Sequence, residues 1–362
     1  AANSMASRII GIGNIIGYLA GYVDLRRYMW FFGNTQFKIL CVNASLALAF
    51  TVFISLSTIK ERNPRLEGHT TSSKINLFSF FKAIIASIRR LPPLTRKVCK
   101  VQFFAWIGMF PQLFYSSSYI GDIYVQPYLE KNPHMSLTEL DQLYEKATRV
   151  GNFALLIYAI ISLATNMILP FFVASSNNSS RNCLAIPEFT LRRAWLISHL
   201  IFSACMFSAV IVRRLSAATT LIGILGISWA VSLWVPFAII SEEVSRRDSI
   251  RRALNRGACD LDSGSCHASK DDDQAGVILG IHNMAIAIPQ IISTVESSII
   301  FKFLQKPRGT PGDRSFGVVL AVGGLSTLIA AWLVSRMEDK IDFPNGSEDC
   351  TEEVDEPHVR RV

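Results

Sequence analysis

Eight separate stretches of this chain are long and apolar enough to cross a bilayer, and few folds are open to a chain built that way. They fall near residues 5–25, 38–59, 100–125, 149–174, 194–212, 218–244, 276–304 and 315–337. A helix rises about 1.5 Å per residue, so about 20 apolar residues cover a hydrocarbon core of about 30 Å. Lipid offers no partner to backbone N–H and C=O groups, so a spanning segment is either a helix or a strand of a closed barrel. None of the runs alternates apolar and polar residues as a barrel strand does. The expectation is an all-α membrane protein with about eight transmembrane helices. Half the residues are hydrophobic and only 18% are charged, and the charges gather in the gaps where water can solvate them. A large soluble helical protein fits poorly, because core helices are rarely this long and this uniformly apolar.

The basic residues in the gaps set an orientation. If the gap at 60–100 is cytoplasmic, that side also holds 175–193, 246–275 and the tail from Arg336, with 23 Lys and Arg against 10 on the other side. The positive-inside rule then puts both termini in the cytoplasm. The net charge of +8 is accounted for by insertion and by attraction to anionic lipid, with no nucleic acid implied. Of seven cysteines, Cys41, Cys99 and Cys205 lie in or beside spans and Cys183, Cys259, Cys266 and Cys350 on the cytoplasmic side, where reduced thiols are the default. The run ending at Cys266 and His267 offers too few ligands for a zinc site, so no metal is expected. Sequons stand at Asn43, Asn177, Asn178 and Asn345; the first falls inside a span and the others on the cytoplasmic side, so none is expected to carry sugar.

The chain opens AANSMASRIIGIGNIIGYLAGYVDL, with no charged segment before the first apolar run, and does not read as a signal peptide. Two spans precede the long hydrophilic gap and six follow it. Many transporters are built from two six-helix halves joined by a long cytoplasmic loop. On that pattern residues 1–59 are the last two helices of an N-terminal half, and 60–99 are the central loop with an amphipathic helix closed by Pro92 and Pro93. Residues 100–337 are then a complete six-helix C-terminal half with a cytoplasmic loop at 246–275, and 338–362 an acidic cytoplasmic tail. The pattern leaves the first four helices missing.

Polar residues inside the spans carry the chemistry, since each costs free energy in lipid unless it faces the bundle interior. In the third span Pro111 removes a backbone donor, and Gln112, Tyr115, Ser116, Tyr119 and Asp122 follow at spacings of three and four, sharing roughly one helical face. A polar and aromatic stripe suits a sugar, whose hydroxyls want donor and acceptor pairs and whose C–H faces pack on rings. Ser118 stands beside it, in a serine run that also suits plain helix packing. The sixth span repeats the scheme with Trp229, Ser232, Trp234 and Pro236, and Trp234 lies too deep for an interfacial anchor. Glu242, Glu243 and Arg246 at its cytoplasmic end are gating candidates, with solvated ion pairing as the plainer account. The seventh span holds His282, Asn283, Pro289, Gln290 and Glu296. An ionisable group in low dielectric is a candidate for moving protons, which selects Asp122, His282 and Glu296. His282 and Glu296 stand about 21 Å apart along one helix and cannot pair there. In the first span Arg8, Asn14 and Tyr18 are further polar points among glycines suited to close helix packing.

These motifs carry a resemblance. GNIIGY in the first span, FAWIGMFPQLFYSSSYIGDIY in the third, GISWAVSLWVPFAIISEE in the sixth, and GIHNMAIAIPQI followed by IFKFLQKPRGTPGD are similar to the sucrose transporter-like branch of the glycoside-pentoside-hexuronide:cation symporters. That branch lies within the major facilitator superfamily, and the chain looks most like the fungal α-glucoside (sucrose or maltose):proton symporters. The resemblance implies a partial major facilitator fold equivalent to helices five to twelve. It also implies proton-coupled uptake of an α-glucoside by alternating access, with the proton as coupling ion and no cofactor. The expected sugar contacts are Gln112, Tyr115, Ser116, Ser118, Tyr119, Trp229, Trp234, Asn283 and Gln290, of which the resemblance implies Gln112, Tyr115, Ser116 and Ser118 and the polar pattern of the spans the rest. Plant members read DTDW and then GRE where this chain has Ser116, Ser117, Ser118 and Tyr119, then Gly121, Asp122 and Ile123; both aspartates and the arginine are replaced, leaving one carboxylate at Asp122. The expected partners are a disaccharide or other α-glucoside, the proton and membrane lipid. The plasma membrane is the first expectation for location and the vacuolar membrane the second. Eight helices alone are expected to be inactive. The alternatives are a non-transporting carrier remnant or interaction protein, and a membrane-embedded transferase, for which Asp271, Asp272 and Asp273 without a partner cluster are a poor metal-phosphate site.

Overall fold

The computed structural model describes residues 2–59, 82, 85–89, 91–173, 186–259 and 274–337. Among them are eight long helices and no strand: α1 (Ala2–Tyr22), α2 (Gln36–Thr58), α3 (Pro93–Lys131), α4 (Leu137–Ile168), α5 (Leu191–Ser208), α6 (Leu215–Cys259), α7 (Gln274–Leu304) and α8 (Ser315–Ser335). Each takes up one of the eight apolar stretches, in order. Five of them, α2, α4, α6, α7 and α8, are by length and hydropathy sufficient to cross a membrane. In α3 the mean hydropathy is held down by Gln102, Gln112 and the serines at 116–118, and in α5 by Arg192, Arg193 and His199.

Local chemistry sets the ends. Pro93 occupies the first turn of α3, where its missing N–H costs nothing. Thr35 caps α2 and Thr190 caps α5, each hydroxyl accepting from the backbone N–H three residues on. A capping box opens α4: Ser136 Oγ accepts from the Glu139 N–H, and the Glu139 carboxylate accepts from the Ser136 N–H. That box starts α4 twelve residues before the apolar run at 149. The largest departure from expectation is α6, which continues to Cys259 through half of the expected 246–275 loop. Its RRDSIRRALNRGAC extension holds good helix formers and no proline, and an existing helix extends one residue at a time without a new nucleus.

Several expectations lie outside the described residues: most of the 60–99 segment, the sequons at Asn177, Asn178 and Asn345, Cys183, Cys266 and Cys350, and the 338–362 tail. Of the amphipathic stretch, residues 82 and 85–89 are helical, with Ile85 and Ile88 exposed. Asn43 is half-buried on α2 and donates to Met29 Sδ at 3.5 Å.

The helix α3 is the hub, packed on α8, α7, α4 and α6, while α5 fills the space between α8 and α6. On the other flank α1 lies along α4, and α2 touches chiefly α1 and two short turns at 25–27 and 30–32. The crossings use small residues, as membrane helices do where apolar burial no longer distinguishes protein from lipid. At the α3–α8 crossing Gly108 packs on the Gly323 carbonyl and the Thr327 hydroxyl, and at the α4–α6 crossing Gly226 packs on the Tyr158 carbonyl. Among the described residues, two large buried apolar clusters result, with a smaller one of Val125, Leu129, Leu143 and Ala147 beside them. Of the two large ones, one gathers Met109, Ile120, Tyr158, Phe202, Met206, Ile222 and Leu225; the other gathers Val98, Trp195, Val231, Val235, Ala330 and Val334. Large apolar side chains remain exposed along α2 and α7, Phe50, Phe53, Leu56, Ile291 and Val295 among them.

Candidate substrate site and the clefts beside it

Four helices converge on a polar and aromatic constellation. Gln112 on α3 is buried; its amide donates to Ser116 Oγ at 3.5 Å, and the Ser116 hydroxyl donates back to the Gln112 carbonyl. The Gln112 side chain lies beside the Tyr158 hydroxyl of α4, and Tyr18 of α1 packs against the same cluster. The Trp229 ring, from α6, lies 6.4 Å from Tyr158 and 5.7 Å edge-on from Trp106 of α3. The Tyr158 hydroxyl and the Trp106 Nε1–H are buried without a well-formed hydrogen bond. Buried polar atoms left in that state cost about 1–3 kcal/mol each. A hydroxylated guest would supply the missing bonds and pack its C–H faces on the rings.

The other residues singled out from the sequence are dispersed. Gln112, Ser116 and Tyr119 share the buried face of α3, and the Tyr119 hydroxyl donates to the Ala209 carbonyl at 2.9 Å, tying α3 to the end of α5. Tyr115 turns away into an aromatic group with Phe301 at 5.0 Å and Phe316 at 6.2 Å. Trp234 is half-buried with its indole nitrogen enclosed and unpartnered, as is the hydroxyl of Ser232. On α7, His282 is fully buried edge-on to the Phe237 ring at 4.7 Å, with both ring nitrogens unpartnered, while Asn283 and Gln290 are exposed and Glu296 is half-buried. Glu242 is exposed and Glu243 buried, and both Glu243 and Arg246 engage other groups.

The expectations did not include Tyr158, Trp106, Gln102 or His199. Tyr158 interrupts the apolar run FALLIYAIIS, a signal the sequence did carry. His199 is fully buried beside the Trp195 ring at 5.6 Å, and neither its ring nitrogens nor the Gln102 amide has a partner.

Ser118 and Asp122 open instead onto two adjoining clefts of about 300 and 360 Å³ beneath the α7–α8 connection. Asp122 lines both. Gln126 bridges the wall: its amide donates to Asp122 Oδ1 at 3.3 Å, and its carbonyl accepts from the Gly312 N–H at 2.6 Å. The connection is tied to itself as well, since Asp313 accepts from the backbone N–H of Lys306 at 3.2 Å and of Ser315 at 2.8 Å. Arg308 reaches α4, pairing with Asp141 at 2.8 Å and covering the Tyr144 ring at 4.5 Å.

Long apolar helices crossing on glycines, with amides, hydroxyls and indoles turned inward, are the build of a multi-pass membrane protein. No family model matches the chain. It is 31% identical to the general alpha-glucoside permease of Schizosaccharomyces pombe, over 91% of this chain and 66% of the permease. It is 22% identical to a sucrose transport protein of Arabidopsis thaliana, over 91% of this chain and 59% of that protein. With the MFS-type transporter cctQ of Talaromyces islandicus it shares 29% identity over 52% of this chain and 71% of cctQ. The chain belongs to the α-glucoside and sucrose transporter family of the major facilitator type, and it spans just under two thirds of the permease's length. The relatives are permeases and transporters, which sets aside the membrane-embedded transferase.

Proposed function

We propose that this protein is the larger part of a proton-coupled α-glucoside carrier that works by alternating access. Sucrose or maltose is held at the constellation of Gln112, Ser116, Tyr158 and Trp229, with Tyr18 approaching from α1. In this reading α1 and α2 close an N-terminal half, and α3 to α8 form the C-terminal half. The site then lies on the seam where the two halves rock against each other. The observation that carries the reading is the pair of buried polar groups without a well-formed hydrogen bond, the Tyr158 hydroxyl and the Trp106 indole N–H, walled by aromatic rings beside the Gln112 amide. A hydroxyl-rich ligand completes such a site, and an apolar one does not.

Asp122, His282 and Glu296 are the groups that would take and release the proton, because the membrane interior sets the cost of their charge against a proton from either side. The 23 to 10 excess of basic residues supports a cytoplasmic position for the 60–100 gap and both termini, and in this reading the Asp122 clefts open on the opposite side. The test is uptake of labelled sucrose and maltose at pH 5 and pH 7 by cells lacking sugar carriers, expressing the open reading frame that contains this chain. Uptake that is faster in acid supports the reading. Uptake that persists unchanged when the proton gradient is collapsed overturns the coupling, and no sugar uptake at either pH overturns the carrier.

A further inference from the structure

We infer that the cleft between α3, α4 and the α7–α8 connection is a second, outer binding site for a neutral glycoside, through which the sugar passes before reaching Gln112. This rests on the carrier reading above. The larger cleft, of about 360 Å³, falls within the range of small-molecule sites. Its walls supply hydroxyls from Ser117, Ser118 and Thr310, the amide of Gln305, the carboxylate of Asp122, the Thr148 hydroxyl that donates to the Tyr144 carbonyl at 2.9 Å, and the Asp313 carboxylate, which two backbone N–H groups already hold. Sugars are bound by such a set, in which donors and acceptors alternate around a polyol and no single strong charge selects an ion. The cations that border it are already engaged elsewhere: Arg308 on Asp141 and the Tyr144 ring, and the Lys306 ammonium on the Pro311 carbonyl at 3.1 Å. That leaves the neutral donors to meet the ligand.

The roof is held in place before any ligand arrives. Gly309 and Gly312 adopt the left-handed backbone at φ 86° and 80°, which a side chain would disfavour, and Asp313 pins both ends of the connection through two backbone N–H groups. Gln126 ties it to α3 through Gly312, and the Tyr144 hydroxyl accepts from the Gly309 N–H at 3.4 Å, tying it to α4. A binding surface fixed in this way loses little freedom on binding. Ser118 and Asp122 line the cleft, and Ser116 and Gln112 stand on the same helix, about 1.7 and 2.8 turns from Asp122 toward its N-terminal end.

The experiment is thiol shielding on the purified full chain in lipid nanodiscs. Single Gln305→Cys and Ser118→Cys variants are alkylated with a polar maleimide, with and without sucrose or maltose, against a Thr138→Cys control on the exposed start of α4. The native cysteines are measured in the unsubstituted chain and subtracted. With sugar at about ten times its dissociation constant, occupancy of about 90% slows alkylation of the two cleft variants roughly tenfold and leaves Thr138→Cys unchanged. Unchanged rates at Gln305→Cys and Ser118→Cys overturn the outer site, and so does equal slowing at all three positions. Repeating the shielding with Gln112→Ala separates the two sites. Protection that survives shows an outer site in its own right; protection that vanishes shows closure driven from the inner site and overturns the proposal. Acid-stimulated uptake by cells, together with no shielding, sinks the outer site alone, whereas no uptake sinks the carrier reading beneath it.

Discussion

At the scale of single residues, the proposed site is marked by polar groups meeting aromatic rings at Gln112, Tyr158, Trp106 and Trp229, since unpartnered buried groups alone also stand at Gln102, His199 and His282. Replacing Tyr158 by Phe removes a buried hydroxyl that has no well-formed partner, so the ligand-free protein should gain about 1 kcal/mol of stability. Sugar uptake should fall in the same variant. Opposite signs in thermal denaturation and in uptake are the signature of a hydroxyl kept for a ligand, and a loss in both would mark Tyr158 as structural. Gln112→Ala removes the buried amide and should raise the half-saturating sugar concentration roughly tenfold to a hundredfold, which is about 1–3 kcal/mol, measured in the same uptake assay. The sequence made Gln112 and Ser116 legible because polar groups inside a span are costly. Its signal at Tyr158 was ambiguous because one Tyr in an apolar run also suits packing, and only the fold brings it beside Gln112. Tyr115 and Tyr119 illustrate the converse, since spacing put them on the stripe while packing sent one to Phe301 and the other to the Ala209 carbonyl.

At the scale of helices, two effects compete at every glycine. Gly13 has nothing within 4 Å of the place a Cβ would take, so Gly13→Ala should follow helix propensity and stabilise α1 by up to about 1 kcal/mol. Gly108 meets the Gly323 carbonyl and the Thr327 hydroxyl. There the clash should win, and Gly108→Ala should lower the melting temperature at a cost of about 1–3 kcal/mol. A Gly108→Ala variant as stable as the parent would show that α3 and α8 can part without penalty. The start of α4 offers a test by pH. The Ser136 backbone N–H and hydroxyl hold the Glu139 carboxylate below its ordinary range. A lowered folded pKa gives stability that is complete above the unfolded value and lost as pH falls through the folded one. Amide protection in the first turn of α4 should therefore decline in acid, and Glu139→Gln should make it independent of pH over that window. Element positions were readable because hydrophobic length dictates them. The extension of α6 past 246 was not, because helix continuation follows local propensity and leaves no apolar trace.

For the whole molecule, the question is what binds α1 and α2 to the six helices that follow. The seam with α4 is polar at one end: Asn152 donates to the Gly21 carbonyl at 3.2 Å, Arg149 donates to the Tyr22 carbonyl at 3.0 Å, and Arg26 pairs with Glu145 at 3.1 Å. Arg149 also reaches Asp24 at 3.3 Å, so one guanidinium holds both a carbonyl and a carboxylate. Its side chain is 30% exposed, and water reduces the strength of both contacts, leaving about 1 kcal/mol. Arg193 makes the contrasting case. Its pairing with Glu188 is local in sequence, and the two side chains are 48% and 80% exposed, so its loss should cost at most about 0.5 kcal/mol. Arg149→Met should therefore speed proteolysis within residues 24–35 several-fold in lipid nanodiscs, while Arg193→Met leaves the cleavage rate there unchanged. If the two variants behave alike, the seam is held by apolar packing between α1 and α4, and its polar end plays no part. If Arg149→Met alone loosens it, the joint between the proposed halves is a hydrogen-bonded one, which can break and re-form during a transport cycle at little cost because water replaces each lost partner.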